Sequence, residues 1–149
     1  MRKRPSARLL VISPGDRILL FRFVLAKSSL AAKDYWATPG GSLEGKETYA
    51  EAARRELFEE TGFVAAVSDA HVSEREFILQ MPGGEEVLAQ ERFFIVRVDS
   101  QAISTTAWTA EEKQIMLDHK WWSVEELKTT RETVFPENLI TILEAVGLH

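Results

Sequence analysis

Apolar positions along the chain fall into short runs broken by glycine and proline, a pattern that predicts strands joined by tight turns. Ala7–Ile12 and Arg17–Phe23 flank Pro14-Gly15-Asp16, which reads as a hairpin. Val72–Met81 and Glu86–Val98 flank Pro82-Gly83-Gly84, a second hairpin signal. A polar loop from Lys27 to Asp34 leads into Tyr35-Trp36-Ala37-Thr38 and then Pro39-Gly40-Gly41, and Lys120-Trp121-Trp122 reads as a short final strand.

Helix starts are marked by capping boxes, in which a Ser or Thr hydroxyl and a Glu carboxylate three residues on satisfy each other's free backbone N–H groups. Thr48 with Glu51, Thr109 with Glu112 and Ser123 with Glu126 fit that pattern. The first helix is expected from about Tyr49 to Thr61, with Gly62 as a left-handed stop, and the last from near Pro136 to Gly147. Antiparallel hairpins with a few helices predict a mixed sheet with helices packed on it, an α/β (α+β) domain.

Composition narrows the class. A chain of 149 residues without a composition break suits one domain, residues 1–149, and its 45% hydrophobic content suits a folded core. The absence of cysteine removes disulfide frameworks, thiolate zinc sites and thiol nucleophiles. The net charge of −5 argues against a protein that coats nucleic acid. Met1-Arg2-Lys3-Arg4 looks like the start of a signal peptide, but the apolar run behind it is short and ends at Pro14-Gly15-Asp16. No stretch approaches the roughly 20 apolar residues of a membrane span. The expected setting is therefore cytoplasmic, with no membrane association. Charge is unevenly spread: residues 1–40 carry eight basic and two acidic side chains, while residues 64–149 carry seven basic and fifteen acidic.

The segment Gly41–Phe63, GSLEGKETYAEAARRELFEETGF, carries the candidate chemistry. At about 100° per residue, Glu56, Glu59 and Glu60 share a helix arc of about 100°. Like charges at these spacings cost a helix about 0.2–0.5 kcal/mol per pair, so the cluster asks for a cation. Hard divalent ions take oxygen ligands, and Mg²⁺ in particular combines one or two carboxylates with water and substrate phosphates. Gly40-Gly41 would let the backbone approach a ligand closely. Arg55 could pair with Glu59 or reach Glu47. The plainer alternative is a solvated helix face that happens to be acidic.

The spacing of this segment resembles the Nudix box, G-x5-E-x7-R-E-U-x-E-E-x-G-U, where U is a bulky apolar residue. Gly41, Glu47, Arg55, Glu56, Leu57, Glu59, Glu60 and Gly62 match it, and Phe63 stands where an aliphatic is more usual. Trp36–Gly41 ahead of the box and Trp121-Trp122-Ser123 with Glu125-Glu126-Leu127 behind it are also similar to the family. The resemblance implies a Nudix-type α/β/α sandwich around a mixed β-sheet. It implies Mg²⁺- or Mn²⁺-dependent hydrolysis of the diphosphate linkage in a nucleoside diphosphate derivative, by in-line attack of an activated water. Glu56, Glu59 and Glu60 would be metal ligands, with the Gly41 carbonyl a further candidate. Arg55 and Glu47 would orient the carboxylates. Such domains occur as monomers or homodimers.

Outside the box, Glu111 and Glu112 are candidates for an additional acid, Glu112 doubling as a cap. Arg22, Lys27, Lys33, Arg92 and Arg97 are candidate phosphate contacts, and Trp36, Phe23 and Trp108 candidate stacking platforms. His71, His119 and His149 show no ligand spacing. Sequence cues for NADH, ADP-ribose and coenzyme A cleavage do not match, which leaves a nucleoside triphosphate or a nucleotide sugar open. Two other readings compete with hydrolysis: a non-catalytic nucleotide-sensing module, against which the intact box counts, and a diphosphate isomerase, whose cysteine or extra acids this chain lacks.

Overall fold

The computed structural model describes residues 1–24, 34–81 and 83–149. β1 (Arg2–Ser13) and β2 (Arg17–Val24) form the predicted hairpin, but pair only next to the turn, Ile12 with Ile18 and Ser13 with Arg17. Beyond that point β1 pairs with β4 (Gly40–Ser42) and, over most of its length, in parallel with β6 (Glu86–Arg97). β2 runs antiparallel to both β3 (Asp34–Ala37) and β7 (Met116–Trp122). β5 (Ser73–Gln80) edges β6, and β8 (Val134–Phe135) lies parallel to β3. Among the described residues this is one mixed, eight-stranded sheet whose β1 and β2 halves splay apart.

Alternation along the strands feeds two cores. Ala7, Leu9, Val11, Leu19 and Phe21 pack with Ala50, Ala53 and Leu57 of α1 (Tyr49–Thr61). Leu10, Ile12, Ile18 and Leu20 face the other way, against Val124 and Leu127 of α3 (Val124–Thr129) and Leu139, Ile142 and Leu143 of α4 (Leu139–Ala145). Each fully buried side chain of this size contributes about 1.5–3 kcal/mol, so helices are needed on both faces. The result is an α/β/α sandwich. α2 (Ala110–Ile115) leads into β7. No helix among the described residues is long and apolar enough to cross a membrane.

All three capping boxes are formed. Gly62 ends α1 at φ 77°, its N–H donating to the Phe58 carbonyl. Three expected elements begin elsewhere, and β4 and β8 had no counterpart in the sequence pattern. β1 begins at Arg2 rather than Ala7, because its basic first residues pair in parallel with Val87–Gln90. β7 begins at Met116, opposite Phe23, rather than at Lys120. α4 begins at Leu139, after a turn in which the Leu139 N–H donates to the Pro136 carbonyl. Of the loop predicted from Lys27 to Asp34, Asp34 opens β3, while residues 27–33, with the candidates Lys27 and Lys33, lie outside the described residues.

Candidate active site

α1 is set against β4 by its acidic face. Glu56 and Glu60 are buried, 9% and 2% exposed, whereas Glu59 is partly exposed. The Gly40 N–H donates to Glu60 Oε1 at 2.8 Å, and the Glu60 carbonyl accepts from Trp108 Nε1 at 2.7 Å. Gly40 lies across β1 at φ 142°, where a Cβ would stand 2.9 Å from the Arg8 Cα and collide with the Ala7 carbonyl. At Gly41 a Cβ would stand 2.9 Å from Glu56 Cδ. Gly40 is there because two backbones meet, and Gly41 because backbone and carboxylate touch.

Arg55 ties these acids into one network. Its Nε donates to Glu47 Oε2 at 2.7 Å and its Nη2 to Glu47 Oε1 at 3.0 Å, a two-point fork. Nη2 also donates to the Ser42 carbonyl at 2.9 Å, and Nη1 to Glu56 Oε1 at 3.0 Å and Glu59 Oε2 at 3.1 Å. Those bonds hold Glu47 below the usual carboxylate range and raise the Arg55 guanidinium above its own. Glu60 moves the other way. Burial, then the charge of Glu56, then a hydrogen bond with Glu56, push its carboxyl well up, opposed by the Gly40 N–H and the Arg8 charge. Glu59 is also raised, by burial first and Glu56 second.

A cation would relieve two neighbouring buried carboxylates that resist ionising together. The donor set is all oxygen, as Mg²⁺ or Mn²⁺ requires. Among the described residues, no three such side chains converge as a preformed cage, since Glu56 and Glu59 are turned onto Arg55. The residues fit a hard cation in the chemistry of their donors, with Arg55 holding oxygens of Glu56 and Glu59.

Beside the carboxylates, the splay of the sheet opens a cavity of about 580 Å³. Phe23, Tyr35, Phe77 and Phe135 form aromatic walls, and Arg4, Arg8, Arg75 and Glu91 supply charge. Phe23 and Tyr35 stack at 5.4 Å. Phe23 is thus the one sequence candidate for stacking that lines this cavity.

The other candidates are placed elsewhere. Trp36 does not present its ring for stacking: it is 6% exposed in the α3/α4 core, edge-on to Trp122 at 5.3 Å. Arg22 pairs with Asp34 at 2.9 Å, away from the cavity lining. Arg92 lies over the Tyr49 ring at 4.2 Å, and Arg97 pairs with Asp16 at 3.6 Å. Trp108 packs on Phe21 and anchors the end of α1. The Glu112 carboxylate accepts from the Thr109 N–H, and Glu111 is exposed on the same helix. Sequence reasoning missed Arg4, Arg8 and Glu91. The period-two row Arg4, Ser6, Arg8 was the available signal for the first two.

Comparisons with known proteins agree with this architecture. The MutT protein of Methanosarcina mazei has TM-score 0.66 and 20% identity over 97% of this chain and 92% of that one. The Nudix domain of Shewanella oneidensis NrtR, solved with ADP ribose, has TM-score 0.68 and 15% identity over 98% and 89%. The Escherichia coli phosphatase NudJ is 46% identical over 44 residues, 30% of this chain and only 29% of that protein's length. The NUDIX domain family model matches residues 2–141. With that match across nearly its whole length, the chain belongs to the Nudix hydrolase family.

Proposed function

We propose that the protein hydrolyses the diphosphate linkage of a nucleoside diphosphate derivative, with Mg²⁺ or Mn²⁺ as cofactor. The observation that carries this reading is the buried Glu60 carboxyl beside Glu56, raised by burial first and the Glu56 charge second, next to a cavity with aromatic and cationic walls. Glu56, Glu59 and Glu60, with the Gly41 carbonyl, would hold the cation. When bound, it would offset the negative charge of the diphosphate and acidify the attacking water.

The chain's own residues do the rest. Arg55, gripped by Glu47, sets the positions of Glu56 and Glu59. Glu60 is fixed by the Gly40 N–H. Glu59 is the most accessible of the three and its carboxyl is raised, so it is best placed to accept a proton from water. Phe23, Tyr35, Phe77 and Phe135 line the cavity with aromatic surface suited to packing a planar base.

The test is a panel of nucleoside triphosphates, nucleotide sugars and dinucleotides incubated with Mg²⁺ or Mn²⁺ and scored by product mass. Products cut between two phosphorus atoms, formed only with metal, are expected. Saturable binding without turnover of any of these would favour the sensing module instead.

A further inference from the structure

The β1 arginines sit in the cavity with a charge imbalance. Arg4, Arg8 and Arg75 face a single enclosed carboxylate, Glu91, 7% exposed, while Glu137 is exposed at the mouth. Glu91 Oε2 accepts from Arg8 Nε at 2.7 Å, and its Oε1 lies 3.4 Å from Arg75 Nε. Arg75 is in turn stacked on Phe77 at 4.2 Å. One carboxylate therefore serves two guanidinium groups.

Arg4 is left over. Its one side-chain hydrogen bond is to Ser6 Oγ at 3.4 Å, and among the described residues no carboxylate pairs with it. Burial and the charge of Arg8 lower its pKa, the mark of a cation lacking an anion. Arg8 is engaged through Nε, and among the described residues its two terminal nitrogens have no partner. A guanidinium held by one edge presents the other as a ready fork for phosphate. The cluster also adjoins the helix carboxylates: the Arg8 charge acts on Glu60, and the Glu56 charge on Arg4.

We propose that Arg4 and Arg8 form a metal-independent seat for a phosphate group of the substrate, and that Glu91 positions Arg8 within it. The seat deepens the diphosphate reading and rests on it for the ligand's chemistry. A diphosphate placed between the helix acids and the aromatic walls has these two guanidinium groups alongside. Glu91 works against the seat's positive charge, so its place there is accounted for by geometry: it holds Arg8 by Nε and, among the described residues, leaves the terminal nitrogens unengaged.

Equilibrium binding of inorganic pyrophosphate in EDTA tests both parts, with thermal melts confirming that each variant folds. Wild type should bind, and Arg8→Gln and Arg4→Gln should each weaken binding tenfold or more. Arg17→Gln, at a side chain that pairs with Glu126 and does not line the cavity, should not. Glu91→Ala should weaken binding several-fold although it removes a negative charge, whereas Glu91→Gln, which keeps an acceptor for Arg8, should restore it. No binding by wild type, or equal binding by Arg8→Gln, overturns the seat. Tighter binding by Glu91→Ala overturns the positioning role, because a bare field effect predicts it. Pyrophosphate binding that behaves as described in a protein inactive on every substrate would support the seat while refuting the hydrolase.

Discussion

Gly41→Ala isolates what the contact between β4 and Glu56 contributes. The new methyl would stand 2.9 Å from Glu56 Cδ, against an ordinary carbon–carbon contact of about 3.5–4.0 Å, so the carboxyl must withdraw by roughly 0.6–1.1 Å. Glu56 has little room, being 9% exposed and bonded to Arg55 Nη1 at 3.0 Å. Losing that charge-assisted bond costs about 1.5–3 kcal/mol, while replacing Gly by Ala returns about 0.4–1 kcal/mol through the unfolded chain. The net loss is about 1–2 kcal/mol, or a Tm lower by roughly 2–8 °C. The functional effect should be larger, since an error near 1 Å in a catalytic group costs on the order of 10²-fold. Gly40→Ala is the contrast: its methyl strikes the backbone of Ala7 and Arg8, which cannot swing away, and should prevent normal folding. Thermal melts and steady-state hydrolysis separate the two. A Gly41→Ala protein with wild-type turnover would refute the claim that Glu56 must occupy its place against β4.

Three further predictions concern the same helix. Glu60→Gln keeps the Gly40 N–H acceptor and imitates the protonated acid, so in EDTA at neutral pH it should be about 1–3 kcal/mol more stable than wild type. Because the folded carboxyl has its pKa raised, the native state binds the proton more tightly than the unfolded chain. Wild-type stability is therefore expected to fall relative to the variant as pH rises from the unfolded value, near 4.5, through the folded one. Urea melts from pH 4 to 8 should show this divergence, and parallel curves would contradict it. Arg55→Lys keeps the charge but not the fork to Glu47 with the reach to Ser42 and Glu56; it should lower Tm by roughly 5–10 °C, and an unchanged melt would speak against the network. Thr48→Ala, which removes only the cap on Glu51, should cost about 1 kcal/mol in a urea melt and leave kcat unaltered.

What the sequence disclosed was mostly local. Capping boxes involve residues three apart, and the acidic face of α1 follows from helical period, so both were readable. Non-local pairing was not. The first residues of β1 are basic and look like a solvated arm, yet β6 pairs with them in parallel, and Arg8 meets a carboxylate 83 residues away. Strands as short as β4 and β8, of 3 and 2 residues, carry no detectable alternation. Trp36 shows the same limit on a smaller scale. Period two says that Tyr35 and Trp36 face opposite ways, but only the register with β2 says which one meets the core and which the cavity.

The central claim is that the α1 carboxylates perform metal-dependent hydrolysis of a diphosphate linkage. Turnover with Mg²⁺ or Mn²⁺ by Glu59→Gln and Glu60→Gln, each shown by melting to be folded, tests it most directly. A loss of several orders of magnitude in kcat is expected for both variants on the best substrate of the panel. Wild-type turnover in both would contradict it.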